Sequence, residues 1–328
     1  MNEHLPVPQQ PPALSAELLE TIEAARRFED LSRAANTRRA YRSDWSDFAA
    51  YCSRHSFPIL PSSDRAVELY ITYLAYARKP PLNPASIGRR LAAIAHYHRD
   101  AGYLSPTDMA VVKKAWAGIR KSLRIKPKPK KAVVSEELLR ILPDAESTRA
   151  IDVRDRAVLL LGFSAALRRS EIVALHRADL AFEKKGVVVT IQYSKTNQEG
   201  EPERVAVEFL TSTTNCPVVA LLRWLNLANI SDGPAFRRID RHGNIASEPL
   251  SPAAVAEIVK RAAERAGLDP RHVAAHSLRS GFVTTSRRRG LPDWAIQRHT
   301  RHKSPEMLNR YTHSQTLWDQ NPSGDLGL

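Results

Sequence analysis

Six side chains in the C-terminal half of this 328-residue chain are of types that act together on a phosphodiester: Arg168, Lys195, His276, Arg279, His302 and Tyr311. Two guanidinium groups match the geometry of non-bridging phosphate oxygens and hold their charge without a metal. A lysine and two histidines supply proton donors and acceptors. Tyr311 follows them in a stretch that reads as helix, and it offers an oxygen nucleophile. Its phenol has a pKa of about 10, so only ~0.1% is phenolate at neutral pH. Reaching that form costs about 4 kcal/mol unless a base or nearby cations help. The phosphorane-like transition state gathers charge on its non-bridging oxygens, and the departing alkoxide needs an acid. The set holds a candidate for each task, and no carboxylate cluster for a metal accompanies it. The chemistry it suits is covalent cleavage of a nucleic-acid backbone by tyrosine, with no metal and no cofactor.

These residues need elements to position them. His276-Ser277-Leu278-Arg279 sets His and Arg three apart, on one face of a helix. Arg168 and Glu171 are also three apart, at a helix start, which suits Glu171 to orient a neighbouring cation or histidine. A helix is predicted through the apolar run ending near Ala166, then a short turn with Arg168, then a helix capped by Ser170-Glu171. Ser135 with Glu136 and Glu137 opens an earlier helix. Val187 to Ile191 is a β-branched strand, and Val205-Ala206-Val207 is its partner across a turn containing Asn197, Gly200 and Pro202. Lys195 follows the first strand in this hairpin. Ser304-Pro305-Glu306 signals a helix start, with His302 at the junction before it and Tyr311 about two turns in. Taken singly, each residue has a plainer role as a surface arginine, a turn lysine, a capping histidine or a packing tyrosine. Their order and local context together make the argument.

The rest of the chain divides around a basic strap. Residues 1–12, rich in Pro and Gln, are expected to be disordered. Helical periodicity follows: Tyr41, Trp45, Phe48 and Cys52; then Val67, Tyr70, Ile71 and Leu74 after Ser62-Ser63-Asp64; then Ile87, Leu91 and Ile94 after Asn83-Pro84; then Met109, Val112 and Trp116 after Ser105-Pro106. Residues 13–122 therefore read as an all-helical domain. From Arg120 to Lys131 there are seven Lys/Arg and no acid, with lysine and proline alternating over Lys126 to Lys130. Residues 123–132 read as an extended, basic Lys/Pro linker. Residues 133–328 read as a second domain, mostly helical with one small sheet.

Composition bounds the partners. The 49 Lys+Arg against 35 Asp+Glu give a net charge of +14, which points to a polyanion. The two cysteines, Cys52 and Cys216, lie far apart in apolar segments and form neither a disulfide framework nor a zinc site. The longest apolar run, about Ala157 to Leu167, is far shorter than the ~20 residues of a membrane span. No signal-peptide pattern opens the chain. A cytosolic, DNA-associated protein is expected. Candidate DNA-binding residues are Arg38, Arg39 and Arg42 on one helix, Arg89 and Arg90 on another, Lys113, Lys114, Arg120 and Lys121 on a fourth, and Lys126, Lys128, Lys130 and Lys131 on the linker. Such residues bind mostly phosphates, while a few read bases.

Ala166-Leu167-Arg168-Arg169-Ser170-Glu171, the hairpin Lys195, His276-x-x-Arg279, His302 and Arg310-Tyr311-Thr312-His313 resemble the catalytic motifs of the tyrosine recombinase (phage integrase) family. The resemblance covers the whole second domain. The helical first domain and basic linker resemble the SAM-like core-binding domain of its Cre- and Xer-type members. The resemblance implies a mainly α fold of two domains, with an α+β catalytic domain carrying a small antiparallel sheet. It implies that Tyr311 attacks the scissile phosphate, leaving a 3′-phosphotyrosyl link and a 5′-hydroxyl. Arg168 and Arg279 would clamp the non-bridging oxygens, Lys195 would protonate the leaving oxygen, His276 would assist proton movement, His302 would hydrogen-bond the phosphate, and Glu171 would support them. Duplex DNA with a specific site is the implied partner, along with the chain itself as a dimer on each site and a tetramer in the synapse.

Two departures stand out. Ala165-Ala166 replaces a Thr-Gly-like pair, and Arg301 takes the place of a glycine before the histidine. Leu317 and Trp318 are the best anchors for a tail docking on a neighbouring protomer. The competing readings are a type IB topoisomerase, which general relaxation of supercoiled plasmid would reveal, and a non-catalytic DNA-binding protein on the same scaffold.

Overall fold

Tyr41, Trp45, Phe48 and Cys52 recur along one face of helix α1 (Ala35–Arg54), and the last two of these are wholly buried. The structure is a computed structural model that describes residues 15, 17–21, 23–24, 35–123, 130–192, 201–302, 304 and 308. Residues 1–12, Lys126, Lys128, Lys195, Tyr311, Leu317 and Trp318 lie outside the described residues. The chain divides into two units, Met1–Pro127 and Lys128–Leu328.

In the first unit the start signals act as read. Ser63 accepts the Ala66 N–H and opens α2 (Asp64–Thr72), and Asn83 accepts the Ser86 N–H at 2.9 Å to open α3 (Pro84–Asp100). Ser105-Pro106 opens only a 3₁₀ turn over Pro106–Asp108, and α4 begins afterwards (Ala110–Ser122). Phe48, Tyr70, Ile71, Leu74, Ile87, Ile94 and Val112 close the core between the four helices. Trp45 stacks on Tyr97 at 4.6 Å. Inside this unit His98 is fully buried, with Nδ1 against the Ile94 carbonyl and Nε2 accepting the Ser62 N–H.

The second unit is organised around α6 (Ala150–Ser164), which follows α5 (Ser135–Ile141). Every residue from Asp152 to Gly162 is buried, so α6 shows no clean apolar stripe. Its charged residues survive burial because they are paired. Asp155 accepts from Arg154 and Arg261, and Arg156 donates to the carbonyls of Pro143 and Thr214. Packed around α6 are α8 (Pro217–Leu227), which follows the sheet, and α10 (His276–Arg288). α7 (Arg169–Ala174) starts where α6 ends. α9 (Pro252–Arg265) and α11 (Asp293–Thr300) complete the helical set among the described residues. None of these helices is long and apolar enough to cross a membrane.

The paired strands around residue 190 are present, but they belong to a larger β content than expected. β2 (Gly186–Ile191) and β3 (Glu203–Glu208) pair antiparallel from Gly186–Glu208 to Ile191–Glu203. β2 is the second strand rather than the first, since β1 (Leu180–Glu183) pairs on its other side. A second sheet joins β4 (Arg237–Ile239) to β5 (Ile245–Pro249). These extra strands are three to five residues long and carry little alternation, so no period-2 signal announces them. Two cap positions also shift. Val134 precedes α5 in place of Ser135, and Arg168 precedes α7 in place of Ser170.

The end of the linker and the residue that follows it pin α10. Lys131 N–H donates to the His272 carbonyl and Val133 N–H to the Ser277 carbonyl, so this stretch crosses α10 beside Gly281. A Cβ on Gly281 would lie 1.7 Å from the Val133 carbonyl oxygen. Backbone on both sides leaves no flexible group to yield. Gly281→Ala is therefore expected to destabilise the second unit by about 3 kcal/mol or more. Urea unfolding checks this, and a midpoint equal to wild type contradicts the crossing.

Candidate active site

Arg168 stands at the mouth of α7 in extended conformation, and the third residue of that helix is Glu171. The Glu171 carboxylate folds back to accept the Arg168 backbone N–H on Oε2 at 2.8 Å and its Nη1 on Oε1 at 2.6 Å. The three-residue spacing makes this geometry local. The Glu171 side chain is 1% exposed, so it needs a full set of donors. Arg301 supplies the rest, with Nη2 on Oε2 at 2.8 Å.

Arg279, one turn into α10, is completely buried. Its Nη1 donates to the Ala166 carbonyl at 2.6 Å and its Nη2 to the Thr300 carbonyl. Ala166 turns that carbonyl inward because it adopts the left-handed region, φ +47°, at the end of the α6–α7 turn. His276 is the first residue of the same helix. α11 ends at Thr300, Arg301 takes the left-handed cap at φ +57°, and His302 follows directly. His302 is held by Nδ1 against Thr300 Oγ1 at 2.6 Å, and its backbone is clasped by Gln297.

The structure thus brings Arg168, Glu171, His276, Arg279 and His302 together from three separate helix ends. Lys195 belongs to the connection between β2 and β3 and, like Tyr311, lies outside the described residues. Sequence reasoning passed over two contributors. Arg301 stood out only as a departure from a glycine, and its guanidinium is in fact inside the cluster, its side chain 4% exposed. The Ala166 carbonyl left no residue-type signal at all.

Electrostatics follow from this crowding. Burial would raise the Glu171 pKa, yet Arg301 and Arg168 hold it below the usual carboxylate range. Burial pushes the His302 ring down to about 3, reinforced by Arg279, Arg168, His276 and Arg301. His276 is lowered too, by burial and then by Arg279 and Arg168. Arg168 and Arg301 share the Glu171 carboxylate while Arg279 is held on the Ala166 carbonyl, and this positive excess adds to burial in lowering both histidines.

The basic residues of the first unit fall into two groups. Arg39, Arg42, Lys113, Lys114, Arg120 and Lys121 are on the surface of α1 and α4, with Arg38 half-buried and Arg120 over the Trp116 ring. Arg89 and Arg90 are paired with acids of their own unit, Arg90 half-buried and Arg89 with its side chain partly open to solvent. Asp44 is 2% exposed and takes both Nε and Nη2 of Arg89, while Arg90 reaches Asp44, Asp47 and the Tyr70 hydroxyl. Their charge neutralises the buried Asp44 and the half-exposed Asp47 of their own unit. On the linker side, Lys130 donates to the Arg271 carbonyl and Lys131 pairs with Glu137, both on the surface of the second unit.

Over residues 131–317 the chain matches the phage integrase family. It is 35% identical over 304 residues to the integrase/recombinase xerD homolog of Selenomonas ruminantium, covering 92% of this chain and 88% of that protein. It is 27% identical over 289 residues to tyrosine recombinase XerC 2 of Ralstonia nicotianae, covering 85% and 77%. Among solved structures its fold is similar to a lambda integrase dimer bound to a COC′ core site, with TM-score 0.57 and 16% identity over 90% of this chain and 75% of that one. It is also similar to XerH bound to palindromic difH substrate, with TM-score 0.54 and 17% identity over 80% and 71%.

The depressed His302 has a signed consequence. Between about 3 and the ordinary 6.5 the unfolded chain binds the extra proton and the folded chain does not, so this group's contribution to stability grows with pH across that window. In the free protein the His302 ring is expected to stay neutral from pH 8 down to 5 by NMR. Filling the site with an oxyanion should raise its pKa, since added negative charge offsets the arginines. A free-state midpoint near 6.5 would contradict this electrostatic picture.

Proposed function

This chain belongs to the phage integrase family of tyrosine recombinases, and from that premise we propose how its residues carry out the reaction. It is a site-specific DNA recombinase that cleaves and rejoins duplex DNA through a tyrosine. The observation that carries this reading is the positively charged cluster itself. Arg168 and Arg301 bracket the Glu171 carboxylate, and Arg279 is anchored beside them on the Ala166 carbonyl, so three cations against one carboxylate leave an excess of positive charge that a phosphodiester would balance.

In the reaction, Tyr311 Oη attacks the scissile phosphorus, a new P–O bond forms, and the bond to the 5′-oxygen breaks. The phenolic proton leaves by way of His276, which is neutral and therefore able to accept it. Arg168 and Arg279 stabilise the non-bridging oxygens, and His302 hydrogen-bonds the same phosphate. Lys195 protonates the departing 5′-oxygen. The product is a 3′-phosphotyrosyl enzyme and a 5′-hydroxyl, and attack by a 5′-hydroxyl reverses it. The phosphotyrosyl bond conserves the energy of the cleaved one, so rejoining requires no separate energy source.

The residues 13–122 act as a DNA-binding domain, the basic residues 123–132 as the strap to the catalytic domain at 133–328, and the surface cations of α1 and α4 as phosphate contacts. The protein works in the cytoplasm on duplex DNA with a specific recombination site, as a dimer on each site and a tetramer during exchange. The relatives known as complexes with recombination-site DNA support this assignment of partner.

The deciding experiment incubates the full chain with a library of duplex DNA, recovers SDS-stable protein–DNA adducts and sequences them. Wild type is expected to yield adducts at one shared site. Tyr311→Phe should bind that site and give no adduct, and an adduct from this variant would sink the assignment of the nucleophile. Lys195→Ala should cleave the site slowly and recover when sulfur replaces the 5′-bridging oxygen, because a thiolate leaves without an acid. Failure of the sulfur substrate to restore cleavage argues against Lys195 as the acid.

A further inference from the structure

Arg301 occupies a backbone conformation that suits glycine. At φ +57° any residue with a Cβ is disfavoured relative to glycine. An arginine held there must recover that cost through its contacts, and among the described residues these include Glu171 and the Ala166 carbonyl of the active-site cluster. Nη2 reaches Glu171 Oε2 at 2.8 Å and the Ala166 carbonyl at 3.4 Å, and Nη1 reaches the carbonyls of Ala165 at 3.2 Å and His299 at 3.3 Å. Its Nε faces Glu203 Oε2 at 3.7 Å, and neither atom has a hydrogen-bond partner among the described residues.

We propose that Arg301 is a positioning residue for phosphate cleavage. By holding Glu171 Oε2 it fixes the carboxylate whose other oxygen, Oε1, aims the Arg168 guanidinium. It also shares the Ala166 carbonyl with Arg279, so one side chain registers both clamping arginines against each other. A guanidinium can do this because its planar fork donates in several directions at once, whereas an ammonium is a point charge that cannot span a carboxylate and two carbonyls. Arg301 touches no reacting atom in this scheme and acts through Glu171.

The inference rests on the cleavage reading above, and its test separates the two. The proteins are wild type, R301G, R301K, E171Q and the double R301G/E171Q, each as the full chain and each assayed below its measured melting temperature. R301G suits the backbone, so loss of the guanidinium is not confused with strain. The readout is single-turnover formation of the tyrosine adduct at the trapped site, alongside the Kd for that DNA. R301G is expected to slow cleavage on the order of tenfold with Kd unchanged. R301K should be slowed similarly, since it keeps the charge and loses the fork. The double variant should be no slower than E171Q alone, as befits two groups acting in series.

A rate for R301G within twofold of wild type, full activity in R301K, or losses that multiply in the double variant would overturn the proposal. Should R301G fail to fold, R301K decides by the same rates. Should wild type form no adduct, the cleavage reading falls, and the proposal is settled in the free chain with inorganic orthovanadate followed by ⁵¹V NMR. A tenfold weaker affinity in R301G then supports it, and an unchanged affinity rejects it.

Discussion

Burial of one carboxylate governs how the cations of the C-terminal unit are arranged. Glu171 sits almost wholly out of water, and an ionised carboxylate there persists only with several donors around it. Arg168 and Arg301 provide them, one from the mouth of α7 and the other from the cap of α11. The carbonyl of Ala166, five residues before Glu171, then anchors Arg279 from α10. Three cations that would repel one another are thus organised by two acceptors on a single turn. Removing either partner of such a buried pair leaves an uncompensated charge, at a cost of about 3–5 kcal/mol.

That turn is itself held in an unfavourable conformation. Ala166 and Arg301 both adopt left-handed backbone angles without being glycine. The two residues lie at facing ends of α6 and α11, and the Arg301 guanidinium donates to the Ala166 carbonyl. Strain of this kind persists where surrounding contacts over-determine it. Here the surroundings are the buried length of α6 and the wall of α10, itself fixed by the Val133 crossing at Gly281.

Net charge is a poorer map of this molecule than its sign suggests. Many of the arginines are matched to acids within their own unit and contribute nothing to the +14 excess. Arg89 and Arg90 neutralise Asp44 and Asp47, Arg154 and Arg261 neutralise Asp155, and Arg265 reaches Asp152. Arg39 and Arg42 on α1 and the four cations of α4 are among the exposed cations of the first unit. Those charges are open to solvent and screened by salt, so they suit a partner engaged through many weak contacts.

The sequence by itself determined the local features: the capped helices at Ser63 and Asn83, the pairing of Val187–Ile191 with Val205–Val207, and the three-residue spacings Arg168–Glu171 and His276–Arg279. These depend on neighbours within one turn or one hairpin, where residue type fixes geometry. The short strands β1, β4 and β5 escaped notice because three to five residues carry no readable period. Whether Arg90 meets solvent or Asp44 is decided by an acid more than forty positions away. Tertiary structure likewise turned Arg301 from an apparent intruder into a ligand of Glu171, 130 residues distant. A buried charge is satisfied by whatever donor the fold brings to it, and that choice is made in space rather than along the chain.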